Sequence, residues 1–581
     1  MAHEGAAGKG RTGGDGDAWL GIDLGTQSVR VLLATGDGTV LGSGVAPLRG
    51  RRTGVRHEQD PGDWWDAVCT ASRAALAGRS RVRVGGLAVC ATSGTVLLMD
   101  GSGRPLTPGL MYDDGRAAQD AARAREAGLL VQNSWGLPKA LWLVREYRAG
   151  GGALGSVGGG ALGTVGDGAL GSVGDGVLGS GGNGVLGRAG DGALGRAGDG
   201  AMVRAGDGAL ESAGGGSLAG AGSGGRVRPR PGARLAHQAD MITTRLAGHP
   251  VPTDSSHALK TAYDLEREAW PYTVFAELGL PRGLLPDVVR PGSRIGEVCA
   301  DAAERTGIPV GTPVVAGMTD GCAAQIASGA LREGSWNSVL GTTLVLKGAA
   351  SRPVRDATGV VYNHRAPEGS WLPGGASSVG AGALAGYFPD ASPAALDQAA
   401  QAHEPASVIA YPLASPGERF PFLAPDAAAF VVGKPASDAD LWAALLQGVG
   451  YTERLCLDTL HFLGAPMDGP LTFTGGAARS PYWNQLRADI LGRPARVPVQ
   501  TEPALGMAAL AAYGTGAAPT LEDAAARMVR VRTVLEPRPA RTALFADPYA
   551  RLVGELERRG WLPEPVAAHA RARLDLDTAA S

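Results

Sequence analysis

Four glycine-rich stretches and one isolated aspartate concentrate the side chains able to handle a phosphate, a divalent cation or a polyol. The first stretch, Asp23-Leu-Gly-Thr-Gln-Ser28, sets a carboxylate, a flexible glycine and two hydroxyls between two apolar runs. Such a carboxylate can hold a hydrated Mg²⁺, and backbone N–H groups freed by glycine can cradle phosphate oxygens. The same residues also close ordinary hairpins, so this turn alone does not separate a phosphate loop from a plain one. The design returns at Val339-Leu-Gly-Thr-Thr-Leu-Val-Leu-Lys347, with Gly341, Thr342 and Thr343 at its turn. A third Gly-rich turn is expected at Gly374-Gly-Ala-Ser-Ser378 and a fourth at Thr472-Phe-Thr-Gly-Gly-Ala-Ala-Arg-Ser480. The fourth falls between a strand and a helix starting near Pro481, whose free N–H groups and positive dipole end suit a nucleotide. A chain that uses the strand–turn–strand device twice reads as two related halves facing one nucleotide.

The isolated aspartate is Asp320, in Gly317-Met-Thr-Asp-Gly-Cys322. A short strand, Pro313 to Ala316, meets an Ala/Ile-rich helix there. An aspartate at such a junction is usually an N-cap. Small neighbours on both sides also suit a carboxylate held open to a substrate. Two further loops, Thr92-Ser-Gly-Thr95 and Tyr112-Asp-Asp-Gly-Arg116, bring hydroxyls, carboxylates and a guanidinium onto neighbouring strand ends. That mixture fits a polyhydroxylated ligand, and it equally fits a polar loop pair that only faces water.

The elements that must position these groups follow from apolar periodicity. Runs at 19–22, 29–34 and 39–47, punctuated by Asp23–Ser28 and Gly36-Asp-Gly38, predict an antiparallel meander. Asp60 as N-cap with Pro61 at the first position predicts a helix through Ala75. A strand is expected at Val84–Val89 and a helix at His237–Ala247. Thr253, Asp254 and Ser255 supply caps for the next helix. The small-residue helix Gly506–Tyr513 is expected to be core packing.

Composition narrows the class. The chain has 581 residues, enough for two sizeable domains, and a formal net charge of −2, which suggests neither nucleic acid nor an anionic membrane as partner. Five scattered cysteines without C-x-x-C spacing read as reduced core residues of a cytosolic protein. The Gly-rich, charged stretch Met1–Asp17 has no apolar core of a signal, and no run reaches membrane-span length. Residues 149–226 repeat a leucine or methionine every eighth position among Gly, Ala, Ser and Asp. So few apolar residues do not offset the entropy of ordering the segment, which reads as a disordered insertion whose removal should leave fold and activity intact. Gly166-Asp-Gly-Ala-Leu-Gly171 matches G-x-G-x-x-G without a flanking strand or helix, and the eight-residue period does not match nine-residue calcium solenoids. No G-x-x-x-x-G-K-[ST] occurs, which sets aside a P-loop kinase.

With these stretches in order, the chain resembles the FGGY carbohydrate kinases. The carriers are Gly21–Ser28, Glu58-Gln-Asp-Pro-Gly-Asp-Trp-Trp65, Pro138-Lys-Ala-Leu-Trp142, Gly311–Asp320, Gly341–Thr343 and Thr474–Ser480. The likeness runs from about Trp19 to about Asp547 and skips only the insertion. Leu110–Asp114, Leu340–Lys347 and Gly374–Ser378 look most like the D-ribulokinase/xylulokinase-like group of plants and bacteria.

The resemblance implies an α/β fold of the two-domain actin-like ATPase (ribonuclease H-like) kind with a central cleft. It implies a tail at 1–17, a sugar/phosphate domain at 18–331 interrupted by the insertion 149–228, a nucleotide domain at 332–547, and a C-terminal helix and tail at 548–581. The implied activity is transfer of phosphate from ATP, with Mg²⁺, to a ketopentose such as D-ribulose or D-xylulose, in the cytoplasm. The implied partners are the sugar and ATP, and a homodimer is compatible with the reading. By the same resemblance Asp320 is the general base and Asp23 holds Mg²⁺. Thr26, Gln27 and Thr342 line the phosphates, with Ser28, Gly341, Thr343 and Gly375 in the same nucleotide site. Gly475, Gly476 and Ser480 line the adenosine, and Ser93, Gly94, Asp114 and Arg116 join Asp320 at the sugar. Departures bear on the acceptor: Thr92-Ser-Gly-Thr95 stands where typical bacterial xylulokinases have Gln-Met-His-Gly, the Arg-Glu pair of glycerol kinases is absent, and Tyr112 replaces a common Trp. The alternative is an idle relative that binds sugar or nucleotide as a sensor, against which the retained Asp23, Asp320 and Gly-rich turns speak.

Overall fold

The computed structural model describes residues 17–149, 233–389 and 392–580. The expected N-terminal tail up to residue 16, and the expected disordered insertion beyond Ala149, lie outside the described residues. All described residues belong to one compact unit.

The opening meander forms as the apolar runs predict: β1 (Asp17–Leu24), β2 (Ser28–Thr35) and β3 (Val40–Pro47) are antiparallel. Seven of the eight β1 residues are buried, because β1 sits mid-sheet with both faces covered. Its other neighbour is β4 (Arg83–Ala91), followed in the chain by β5 (Arg294–Glu297) and β6 (Pro313–Val315), giving the order β5-β6-β4-β1-β2-β3. Helix α1 (Pro61–Leu76) connects β3 to β4; Asp60 accepts a hydrogen bond from the Gly62 N–H at 2.8 Å, and Pro61 starts the first turn. Its buried face carries Trp64, Trp65, Val68, Ala71 and Ala75, the helical spacing that lays one stripe on the sheet. Full burial of each large side chain there stabilises by roughly 2–3 kcal/mol.

The second half repeats the plan. Its strands are β7 (Trp336–Leu340), β8 (Leu344–Gly348), β9 (Tyr362–Arg365), β10 (Trp371–Ser377), β11 (Leu471–Thr474), β12 (Ala495–Pro498) and β13 (Val531–Leu535), ordered β9-β10-β8-β7-β11-β12-β13. Strand for strand, β3-β2-β1-β4-β6-β5 and β10-β8-β7-β11-β12-β13 share the sequence of antiparallel, antiparallel, parallel, parallel and antiparallel pairings. The two related halves read from the repeated hairpin are therefore present as two mixed α/β sheets of one topology.

Helices fill the spaces between and around the sheets: α2 (Gly136–Ala149), α3 (Asp320–Ser328), α4 (Pro481–Leu491) and α5 (Pro503–Gly514). Helix α5 is buried from Ala504 to Ala512, as an all-apolar helix must be. Although it follows β12 in the chain, it packs with Trp19, Ala88, Val315, Met318 and Cys322 of the first half. Trp19 Nε1 donates to Thr515 Oγ1 at 3.0 Å just beyond its end.

Two expectations are corrected. Gly374–Ser378 is not a turn: its first four residues belong to β10, where Gly374 pairs with Lys347 and Gly375 with Leu346. Glycine serves there to admit neighbours, since a Cβ on Gly375 would stand 2.6 Å from the Phe420 ring. The chain end is not a single helix and tail either. Helices Ala546–Arg558 and Glu564–Ala580 follow one another, and Tyr549, Leu552, Leu556, Ala567 and Ala570 join the second half's core. Among the described residues, no helix is long and apolar enough to cross a membrane.

Candidate active site

Strand register brings the two chemically suited aspartates together. Asp23, near the end of β1, lies opposite Cys90 of β4, and the next β4 residue, Ala91, makes a parallel bridge to Thr319. Asp23 and Asp320 thus sit on strand ends separated by two strand spacings, about 10 Å. Carboxyl ends of parallel strands are where open α/β sheets bind ligands. Asp23 is buried; Cys90 Sγ donates to it at 3.5 Å and Arg30 Nη1 stands 3.8 Å away. Burial first, and the Asp320 charge second, push its carboxyl up to about 7.

Asp320 opens α3. The N-cap position itself belongs to Thr319, which Ser256 holds by accepting its N–H at 3.2 Å. Asp320 is therefore released from capping and makes one local contact, accepting from Gly321 N at 2.8 Å. By surface area the residue is only partly buried, yet the surrounding protein raises its carboxyl above the ordinary value; Gly321 N–H, His257, Lys347 and Lys260 oppose that rise. His257 is itself held cationic. Burial works against the charge, but Asp254, 2.7 Å from Nδ1, more than offsets this and lifts the imidazole to about 9.

The two hairpin turns are pinned by backbone bonds. Gly25 N donates to Ser28 O at 3.1 Å and Leu48 N to Gln27 O at 2.8 Å. Gln59 adds a strut, donating from Nε2 to Thr26 O at 2.7 Å while Oε1 accepts from Trp64 Nε1 at 2.6 Å. In the second half, Gly341 N donates to Thr343 O at 3.1 Å, and Gly382 N to Thr342 O at 3.0 Å. The glycine lying against this turn is Gly380, whose Cβ would meet Thr342 O at 2.4 Å, and not Gly375.

The fourth glycine turn is as expected. Gly475 has φ +85°, and a Cβ there would stand 2.5 Å from Leu340 O, so only glycine fits. Gly476 borders a cavity of about 1090 Å³ walled by Leu384, Phe388, Trp442, Ala477 and Ser480. Ser480 is the N-cap of α4, accepting from Trp483 N at 3.1 Å and donating to Asp397 at 2.8 Å. On the other side of the same turn, a cleft of about 370 Å³ has Arg30 of β2 on one wall and Thr474, Gly475 and Gly476 on the other. The hairpin of the first half and the glycine turn of the second therefore line one space.

In the loop after β4, Thr92 and Thr95 hydroxyls bond each other at 2.6 Å, and Thr92 donates to Gln238 at 2.6 Å. Gly94, with φ +92°, approaches Ser134 O so closely that a Cβ would lie 2.6 Å away. Ser93 Oγ is buried without a hydrogen-bond partner among the described residues. Asp114 and Arg116 depart from the sugar-contact expectation. Asp114 accepts from His57 N at 2.7 Å and from Arg116 Nε and Nη2 at 2.8 and 2.7 Å, and Arg116 Nη1 pairs with Glu58 at 2.7 Å. Their charges are spent on one another inside the loop, which they shape. Lys139 of α2 fastens the same region by donating to the carbonyls of Tyr112, Ser134 and Trp135 at 3.2, 2.9 and 2.8 Å. Sequence reasoning missed the roles of Gln59, Lys139 and Gly380; a lysine in the apolar run Leu137–Val144 was the one available signal.

The donor set fits a Mg²⁺ held largely by water and phosphate: one buried carboxylate at a turn, with no group of three or more His, Cys, Asp or Glu among the described residues arranged as a metal cage. The large, mostly apolar cavity beside Gly476 fits an adenosine.

Comparison with known proteins identifies the family. The N-terminal domain model of the FGGY family of carbohydrate kinases matches residues 18–137 and 233–327, and its C-terminal domain model matches 336–515. A xylulose kinase of Streptomyces rubiginosus is 26% identical over 507 residues, covering 86% of this chain and 88% of its own. One of Escherichia coli (strain K12) is 25% identical over 516 residues, covering 85% and 89%. The crystal structure of xylulose kinase from Rhodospirillum rubrum superposes with a TM-score of 0.71 at 23% identity, covering 93% of this chain and 99% of that one. That of gluconate kinase from Lactobacillus acidophilus gives 0.73 at 17%, covering 94% and 98%. Kinases of this family use ATP and Mg²⁺. Two family models that between them match residues 18–137, 233–327 and 336–515 make this chain a member of the FGGY family of carbohydrate kinases, a phosphotransferase.

Proposed function

We propose that the chain transfers the γ-phosphoryl group of ATP to a hydroxyl of a ketopentose, D-ribulose or D-xylulose, with Asp320 as general base. The observation that supports this is the register Asp23–Cys90 and Ala91–Thr319, which leaves a metal-suited carboxylate and a base-suited carboxylate on strand ends of one sheet, about 10 Å apart. The first half, 18–331, binds the sugar and part of the phosphates, and the second, 332–547, binds the nucleotide. Asp320 accepts the proton of the attacking hydroxyl, a task for which a partly desolvated carboxylate raised above its ordinary value is suited. Asp23 holds Mg²⁺, which when bound neutralises charge on the phosphates. Thr26, Gln27, Ser28, Gly341, Thr342 and Thr343 offer backbone and hydroxyl donors to the phosphates. Gly475, Gly476 and the α4 N-terminus at Ser480 border the adenosine. Phosphoryl transfer needs alignment and charge neutralisation more than covalent help, which these groups supply.

The acceptor class is supported by the curated xylulose kinases that this chain resembles over most of its length. Ser93, with an unused buried hydroxyl, serves as a sugar contact, Gly94 shapes its turn, and Asp114 and Arg116 hold the neighbouring loop. The test is Mg²⁺-dependent ADP release with D-ribulose, D-xylulose, L-ribulose, L-xylulose, ribitol and glycerol as acceptors. Release with a pentulose above the sugar-free background is expected. A protein that releases ADP with none of the four pentuloses does not do what is proposed.

A further inference from the structure

Beside Asp320 lie polar atoms that the reaction as proposed leaves unused. Lys260, just after the short helix Ser255–Ala258, comes from the first half; Lys347, in β8, comes from the second. They are 6% and 2% exposed, rare values for lysine. Their nitrogens lie 3.3 and 4.5 Å from the centroid of one aromatic ring, that of Tyr362, and Lys260 also stands 4.5 Å from the ring of Trp135. Lys347 Nζ has no hydrogen-bond partner among the described residues, and neither does the buried Trp135 Nε1. A Cβ on Gly321, next to Asp320, would be 3.9 Å from Lys347 Cε, which places this amine at the base.

Buried donors without acceptors are costly, so such a cluster calls for a ligand that brings the acceptors. The neighbouring charges say which kind. Burial, and for Lys260 the nearby Lys347, hold both amines below the ordinary lysine value. Asp320 in the same recess disfavours an anion. Buried N–H donors beside a carboxylate match the oxygen of a carbonyl flanked by hydroxyls better than a carboxylate, which Asp320 would repel.

We propose that Lys260 and Lys347 bind the acceptor, together reading the carbonyl oxygen of an open-chain ketose, so that the sugar itself joins the two halves and ketoses are preferred over the corresponding polyols. This rests on the acceptor site assigned above and deepens it. The bland reading is that the two lysines only pack on Tyr362 as cationic fillers.

Lys260→Met and Lys347→Met keep the unbranched side chain up to its terminal amine and remove the donors. Calorimetric titration of the full-length protein with D-ribulose, D-xylulose, ribitol, xylitol and D-ribonate, without nucleotide, reads binding apart from turnover. Wild type is expected to bind one ketose at least about tenfold more tightly than its polyol. Each variant should lose about 10–100-fold for that ketose and less than about threefold for the polyol, with KM for ATP unchanged. Equal losses for ketose and polyol, no loss, or tighter wild-type binding of ribonate than of either ketose overturns the assignment. If Lys347→Met does not fold, Lys260→Met carries the same comparison, and Lys347→Gln, which keeps a donor, should retain part of the preference. Lysine-dependent ketose binding without pentulose-dependent ADP release would leave this assignment standing and remove the ketopentose reading.

Discussion

Gly21 of β1 lies so close to Ala504 of α5 that a Cβ on the glycine would stand 1.7 Å from the alanine carbonyl oxygen. Two residues on and on another face of the helix, a Cβ on Gly506 would meet Ala323 O of α3 at 2.1 Å. Helix α5 is thus wedged between the strand that carries Asp23 and the helix that carries Asp320. Gly21→Ala should lower stability by about 2–3 kcal/mol, since backbone must move to admit the methyl. Urea unfolding reads this, and a midpoint equal to wild type would show that the wedge yields freely.

Asp320→Asn should reduce turnover by roughly 10²–10⁴-fold while ATP binding is largely kept. The measurement pairs ADP release with nucleotide titration. Normal turnover in this variant would remove Asp320 from the role of base.

Asp23 gives a pH signature. Its folded value of about 7 exceeds the ordinary 3.8, so between these limits the folded state binds more protons than the unfolded one. Its contribution therefore makes the Mg²⁺-free protein less stable as pH rises from about 4 to about 7. At pH 8 Asp23→Asn should be more stable than wild type without Mg²⁺, by roughly 2–4 kcal/mol, and the difference should vanish near pH 4. Thermal melts across pH decide it, and a variant no more stable than wild type at pH 8 contradicts it. The same substitution should abolish Mg²⁺-dependent turnover.

His257 runs the other way. Its folded value of about 9 lies above the ordinary 6.5, so its stabilisation is complete below about pH 6.5 and is lost as pH rises through 9. His257→Gln should lower stability at pH 6 and flatten the fall between these limits. A fall of unchanged steepness would mean another group titrates there.

Gln59→Leu should leave Thr26 O and Trp64 Nε1 without their partner and cost about 1–3 kcal/mol. KM for ATP should rise more than KM for the sugar if the turn it supports binds the phosphates as proposed. Equal effects on both constants would place Gln59 in general folding only.

Much of this was legible from local pattern. The meander, the Asp60–Pro61 start of α1 and the glycine turn before α4 follow from apolar period and cap chemistry, which neighbours in space rarely override. Gly374 and Gly375 were misread because paired glycines look the same whether they turn a chain or let a strand pass Lys347 and Phe420. Asp114 and Arg116 were misread for a related reason: a carboxylate and a guanidinium two residues apart suit each other as well as they suit a sugar. The partner of α5 was not legible at all, since an apolar helix carries no mark of which sheet it will cover. Lys260 and Lys347 stood in the sequence as ordinary charges, and their burial emerges only when two distant segments meet at Tyr362.

Because α5 comes late in the chain yet covers the first sheet, the two halves are not interchangeable cassettes. A chimera joined to another family member at about residue 332 would place a foreign helix on Gly21 and Ala323, and its sheet would be roofed by side chains never fitted to it. Recombination that respects the packing must transfer residues 503–514 together with the front of the molecule, so in this chain the unit of inheritance for the first half is discontinuous.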